Sequence, residues 1–266
     1  MAKQAYRVLA LAIHESNVVD EENLTFVGMV GMIDPAREEA KPAVECLHKA
    51  GIRTIMITGD HKDTALAIAK NLNIATDEKQ CMSGDEIDSL SMELLEEKVK
   101  TTNVFARVSP ENKVNIVKAL QNSGNIVAMT GDGVNDAPSL KTADIGIAMG
   151  ITGTDVAKGA ADMTLMDDNF ASIEKAVEEG RSIYSNIKKA IFFLLSSNFG
   201  EVMTMFFATC IGFPSPLRAI HILWVNLISD SLPALALGRD DKDSDIMNLK
   251  PRPVNEGLFA HHGFSF

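Results

Sequence analysis

Thr130-Gly131-Asp132-Gly133-Val134-Asn135-Asp136-Ala137-Pro138 decides how the rest of the chain is read. It follows a largely apolar run, Asn125 to Met129, with the character of a strand buried in a parallel sheet. Two glycines end that strand. Glycine lets the backbone turn tightly at a strand's carboxyl end, where open α/β sheets bind their ligands. Asp132, Asn135 and Asp136 then supply hard oxygen atoms of the kind magnesium takes. The same letters also suit an ordinary Asn/Asp/Gly turn, so the stretch has to be judged with its neighbours.

Upstream, Phe26 to Met32 reads as a strand leading to Asp34-Pro35-Ala36-Arg37, where the proline can open a helix over Arg37 to Ala50. Gly51 stops that helix. Ile52 to Ile57 is a second strand, ending at Thr58-Gly59-Asp60, and a helix follows over Lys62 to Leu72. Residues 76–102 are polar and acidic, with a weak helical pattern from Met92 to Val99. Val104 to Ala106 is a third strand, and Ser109-Pro110-Glu111 starts a helix through Leu120, with serine at the cap and proline in the first turn. Downstream, Asp144 to Met149 and Asp162 to Met166 add two short strands with a helix between them. Strands alternating with helices predict an α/β fold with a doubly wound parallel sheet. Residues 1–24 hold one short apolar run, Val8 to Ile13, and a polar run, too little to close a domain.

At 266 residues and 46% hydrophobic, the chain can bury a substantial core. A net charge of −11 argues against nucleic acid as a partner. Cys46, Cys81 and Cys210 are too few and too far apart for a disulfide framework or a zinc site, and the N-terminus lacks a signal-peptide pattern.

From Phe170 the character changes. An amphipathic helix runs without a breaker into an apolar stretch reaching about Phe213, Pro214-Ser215-Pro216 turns the chain, and Leu217 to Leu237 is a second apolar stretch. Both are long enough to cross a bilayer, which makes lipid a partner. Arg181, Lys188, Lys189, Arg239, Lys242, Lys250 and Arg252 flank the hairpin on one side, so both ends are expected in the cytoplasm. Two long buried helices of a soluble protein are the competing reading.

Three strand ends converge in such a sheet: Thr58-Gly59-Asp60, the region after Arg107 with Lys113, and Thr130 to Asp136. Together they can hold a phosphoryl group. Thr58 and Gly59 would donate hydrogen bonds, Lys113 would neutralise charge, and Asp132 would hold magnesium. In the hairpin, charged groups are costly in a bilayer, so Glu201 and Asp230 are candidates for function. Asn198 and Glu201 share a face of the first span, and Asn226, Ser229 and Asp230 lie within one turn of the second. These five offer carboxylate, amide and hydroxyl oxygens, a set for a hard cation such as calcium.

Asp34-Pro35-Ala36-Arg37, Thr58-Gly59-Asp60, Phe105 to Lys113 and Met129 to Pro138 together resemble the haloacid-dehalogenase-like phosphotransferase domain. The likeness is closer to the phosphorylation domain of P-type ATPases, and it covers about Phe26 to Pro253. The resemblance implies magnesium on Asp132 with Asn135 and Asp136 supporting it and the phosphate. It implies Lys113, Thr58 and Gly59 at an aspartyl phosphate, and Asp34, Arg37, Asp60 and Arg107 around the hinge and bound ATP. Ser196 to Val202 and Leu223 to Ala234 resemble the fifth and sixth membrane helices of calcium-transporting ATPases of the sarcoplasmic-reticulum type. That implies transported calcium at Asn198, Glu201, Asn226, Ser229 and Asp230, with Ser229 where threonine is more usual.

One departure bears on activity: no Asp-Lys-Thr-Gly motif occurs in the chain. The reading is therefore a C-terminal piece of a transporter, without actuator, nucleotide-binding and other membrane segments, and inactive alone. The expected layout is a nucleotide-domain tail over 1–24, a phosphorylation domain over 25–169 and a stalk helix over 170–186. A transmembrane hairpin follows over 187–237, with spans about 187–213 and 217–237, and a cytoplasmic loop over 238–266. The expected location is a multi-pass position in the cell membrane with the α/β domain cytoplasmic. The rivals are a soluble phosphatase of the same superfamily and a non-catalytic protein that binds phosphate or magnesium.

Overall fold

A computed structural model describes residues 6–14, 24–32, 35–253, 256 and 257. Two compact units divide it, one of residues 1–174 with 250–254 and one of residues 175–249 with 255–266. Each is described by itself.

The first unit contains the α/β fold. Six parallel strands form two three-stranded sheets. In one the order is β3 (Met56–Ile57), β5 (Val104–Ala106), β4 (Cys81–Ser83); in the other it is β6 (Ala128–Gly131), β7 (Ile145–Met149), β8 (Met163–Leu165). The predicted strand–helix alternation thus yields parallel pairing throughout these six. Among the described residues no ladder joins β3 to β6, yet the core is continuous, because Ile57 and Val127 each pack against the same two apolar clusters. Phe105, Ile116, Leu140 and Ile147 are its largest fully buried side chains. Each contributes roughly 1.5–3 kcal/mol by leaving water.

The helices begin where their caps dictate. Ser109 accepts from the Asn112 N–H (3.2 Å) and Pro110 opens α5 (Pro110–Asn122). α1 (Ala40–Lys49) is followed at Gly51 by a positive φ of 75°, and a side chain there would meet Pro251. α2 (Lys62–Asn71) matches the predicted helix closely. The acidic stretch 76–102 folds as β4, α3 (Gly84–Asp88) and α4 (Met92–Val99). β4 was not predicted: only three residues long, it shows no alternation, and pairing with β5 makes it a strand.

The strand predicted at Phe26 to Met32 forms as β2 (Thr25–Met32) but outside the parallel sheets. It pairs antiparallel with β1 (Arg7–Ile13), so the run at Val8 to Ile13 is half of a ribbon. Leu9, Leu11, Phe26, Val27, Met29 and Val30 are exposed on it. Two short apolar runs separated by a polar connection satisfy each other's backbone groups first, whatever then covers their side chains.

Helix α8 spans Ala171–Ile211, and the division between the units falls within it. At 1.5 Å per residue its length is roughly 60 Å, about twice a bilayer's hydrocarbon thickness, so its charged first half lies outside such a layer. The second apolar stretch is Ala219–Leu237. It is not a uniform α-helix: α9 (Ala219–Trp224) and α10 (Ser231–Leu237) flank a π-helical turn at Val225–Ser229. Both stretches are long and apolar enough to cross a membrane, with mean hydropathy of 1.5 and 1.4.

Candidate functional site

The phosphate-binding candidates sit at the carboxyl ends of β3, β5 and β6. After β3 the chain turns at Thr58, whose hydroxyl donates to Asp60 Oδ2 (3.0 Å) and accepts from the Asp60 N–H (3.1 Å). The turn is tied to the end of β5 by backbone bonds from the Arg107 N–H to the Asp60 carbonyl (3.0 Å) and from the Val108 N–H to the Thr58 carbonyl (3.2 Å). Arg107 adopts a left-handed φ of 52° to make them. Both Gly59 and Asp60 are exposed, and nothing lies near Gly59 where a side chain would point.

Lys113, one turn into α5, reaches Asp136 after β6, with Nζ 2.5 Å from Oδ1. Asp136 is buried, and its other oxygen accepts from the backbone N–H groups of Gly133 (3.1 Å) and Asp132 (3.3 Å). Burial pushes its carboxyl up. The Lys113 hydrogen bond, the Gly133 N–H, the Lys113 charge and the Asp132 N–H together outweigh that and hold it below the usual carboxylate range. Gly131 is required here, because a Cβ would come within 2.5 Å of the Asp136 side chain. The turn is thus folded around Asp136, and Asp136 is committed to Lys113 and two amides.

Asp132 is left available. It is exposed, and its carboxylate makes no hydrogen bond or ion pair among the described residues. Magnesium is typically held by one or two carboxylates, with substrate phosphates and water completing its shell, so a single available carboxylate fits that ion. Asn135 is also exposed. Among the candidates around the nucleotide and hinge, Arg37 and Arg107 are exposed, and Asp34 lies outside the described residues. Thr154 was missed in the sequence: its N–H donates to the Asp132 carbonyl (2.8 Å). The run Gly150-Ile-Thr-Gly-Thr-Asp155 at the end of β7 is the signal that could have found it.

In the second unit the polar side chains of the two apolar stretches are only partly brought together. Asn226 Nδ2 donates to Glu201 Oε2 at 3.4 Å and to the Ile222 carbonyl at 3.1 Å. Asp230 is 4% exposed. Glu201 Oε1 and Asp230 Oδ2 are both buried without a hydrogen-bond partner among the described residues. Unpaired buried carboxylate oxygens are costly, and a bound cation is what such oxygens suit. The other two candidates face elsewhere. Asn198 donates its amide to the Leu194 carbonyl (2.8 Å), and Ser229 is exposed. A helical asparagine flanked by apolar neighbours takes the carbonyl one turn back as its nearest acceptor.

Comparison with known proteins bears on both regions. A family model described as haloacid dehalogenase-like hydrolase matches residues 2–144, and one described as the C-terminus of cation transporting ATPases matches residues 214–265. The chain is 63% identical over 266 residues to calcium-transporting ATPase 1 of Bacillus cereus and 52% identical over 267 residues to the calcium-transporting ATPase of Bacillus subtilis. It is 48% identical to calcium-transporting ATPase 1 of Lactococcus lactis. Each alignment takes in 98% of this chain and 30% of the relative, so the chain spans about a third of the length of the curated relatives it matches. Since the first model covers more than half of its residues, the chain belongs to the haloacid dehalogenase-like hydrolase family, joined to a C-terminal segment of the cation-transporting ATPase kind.

Proposed function

We propose that the chain is the phosphate-handling and membrane-hairpin part of an ATP-driven calcium transporter working through an aspartyl phosphate, and that it is inactive alone. In this reading Thr58 and Gly59 donate to phosphate oxygens and Lys113 neutralises their charge. Asp132 holds magnesium, which when bound screens the phosphoryl group's charge. Asp136 aims Lys113 and holds the turn, Asn135 supports the phosphate side, and Asp34, Arg37, Asp60 and Arg107 lie around nucleotide and hinge.

The layout follows the same reading: phosphorylation domain over 25–169, stalk over 170–186, bilayer hairpin over 187–237, with the α/β part on the cytoplasmic side of the cell membrane. Calcium is cargo, taken by Glu201 and Asp230 with Asn226, Asn198 and Ser229. The last two need a side-chain rotation to join. The relatives' names support calcium as the cargo.

The observation that carries the transport reading is the pair of buried, unpartnered oxygens, Glu201 Oε1 and Asp230 Oδ2, on two membrane-length stretches. ATP-driven calcium uptake into vesicles by the full-length protein tests it. Glu201→Gln and Asp230→Asn should each cut uptake at limiting calcium at least tenfold, which is about 1.4 kcal/mol of binding. Undiminished uptake in both variants would sink the assignment.

A further inference from the structure

Asp168 lies outside every element assigned a role above, yet its carboxylate accepts three hydrogen bonds. It follows β8 in a left-handed conformation, φ 49°, that aspartate tolerates better than most residues but that still needs support. Oδ1 accepts from the Ile151 N–H (2.9 Å), and Oδ2 accepts from the Thr152 N–H and the Thr152 hydroxyl (both 2.7 Å). Its own N–H and that of Gly150 both donate to the Leu165 carbonyl, at 3.3 and 2.8 Å. The Ile151 N–H first, then the Thr152 hydroxyl and N–H and the Gly150 N–H, bring its carboxyl down from an ordinary 3.8 to about 2, so it is ionised at neutral pH.

What the loop does next matters. Gly153 passes so close to β7 that a Cβ would lie 1.9 Å from the Met149 carbonyl oxygen, which leaves the loop little slack. Thr154 then does two things: its N–H donates to the Asp132 carbonyl (2.8 Å), and its hydroxyl accepts from the Ala157 N–H (3.3 Å) to cap α7 (Asp155–Ala160). An unbroken run of bonds therefore leads from Asp168 through residues 150–154 to the backbone of Asp132. Only the Asp132 carbonyl joins this run; its side chain stays exposed and makes no hydrogen bond among the described residues.

We propose that Asp168 is a positioning residue for Asp132, fixing the magnesium-holding carboxylate from behind through the Gly150–Thr154 loop. The proposal rests on the reading of Asp132 as the magnesium ligand. Its logic is that of a supporting group around a metal site: a lone carboxylate binds a cation in proportion to how well its backbone is held.

The test uses the whole chain in detergent with Mn2+ alone as a paramagnetic probe for the magnesium site. Free and bound Mn2+ are read by electron paramagnetic resonance, backbone opening over residues 150–156 by hydrogen exchange, and stability by thermal unfolding. Asp132→Asn should abolish one bound ion. Asp168→Ala should weaken that ion about fivefold and speed exchange over 150–156. Asp168→Asn keeps the left-handed turn and one acceptor, and should fall between. If Asp132→Asn removes the ion but both Asp168 variants bind it as the parent does, even with a lower melting temperature, Asp168 is merely structural and the proposal is wrong. If Asp132→Asn leaves binding unchanged, the reading of Asp132 itself is wrong and the proposal falls with it. Should Asp168→Ala fail to fold, Asp168→Asn alone decides between these outcomes.

Discussion

The Lys113–Asp136 pair is the residue-scale contact on which the candidate phosphate site turns. Its side chains are 18% and 9% exposed, so neither charge is well solvated, and removing one strands the other. Asp136→Ala deletes the lysine's partner and leaves the N–H groups of Asp132 and Gly133 without their acceptor. Unfolding by urea should show a loss of about 3 kcal/mol, the lower end of what breaking a buried ion pair costs. Asp136→Asn should lose less than half of that, because the amide oxygen can still accept. A loss below ~0.5 kcal/mol for Asp136→Ala would mean the pair is solvated like a surface bridge.

At this scale much of the arrangement was legible. Spacing along the chain put Thr58, Lys113 and Asp132 near three strand ends; the turn at Thr58 is bonded to the end of β5, and Lys113 reaches the turn after β6. Asp132 and Asp136, four residues apart, look equivalent as letters. Only the fold separates them, giving Asp136 to the lysine and leaving Asp132 exposed, without a partner among the described residues. Asp168 was illegible for the same reason: its partners are 16 and 17 residues away, and its backbone angle leaves no mark in the sequence.

Among elements, the segment after α10 shows how a polar loop is given a fixed course. Residues 239–249 have little regular structure and few apolar groups, yet they run along the early turns of α8. Arg181 Nη1 donates to the carbonyls of Ile246 (2.9 Å) and Leu249 (2.8 Å), while Asn186 donates to the carbonyl of Asp240 (2.8 Å). Lys189 meets Asp240 at 2.7 Å and Lys242 meets Glu179 at 2.6 Å. The lysine pairs are exposed and contribute little, whereas the guanidinium bonds to two backbone carbonyls are the stronger hold. Arg181→Ala should loosen the loop by about 2 kcal/mol, which is roughly a 30-fold rise in protease cleavage within 239–249 if cleavage follows opening. Arg181→Lys should recover part of that. Cleavage unchanged in Arg181→Ala would assign the loop's course to the buried Ile246 and the Asn186 bond instead. The sequence marks this segment only as a proline-containing linker, since carbonyl acceptors are invisible in it. The same limit applies to the ribbon of β1 and β2 and to the π-turn at Val225–Ser229. In each, backbone pairing overrides what side-chain patterns suggest.

For the whole molecule, the proposed phosphate site comes without an Asp-Lys-Thr-Gly acceptor motif in this sequence. Phosphoryl transfer asks a protein for little besides positioning, charge neutralisation and an attacking group in line. Thr58 and Gly59 with Lys113 and Asp132 can serve the first two. No Asp-Lys-Thr-Gly run occurs in the chain, Asp60 is engaged with the Thr58 hydroxyl, and Asp136 is engaged with Lys113 and two amides. Asp132 has no hydrogen-bond or ion-pair partner among the described residues, but in the proposed reading it is taken up by the cation. It follows that the purified chain in detergent, given radiolabelled ATP and magnesium with calcium present, should take up no acid-stable label above background. The full-length protein under the same conditions should be labelled, and hydroxylamine should remove the label, as it does from acyl phosphates. Adding a peptide that carries an Asp-Lys-Thr-Gly segment to the chain discriminates further. A label on the peptide would show that the cradle is competent and lacks only its acceptor. A label on the chain itself would identify an acceptor among its own carboxylates and overturn the reading that the chain is inactive alone.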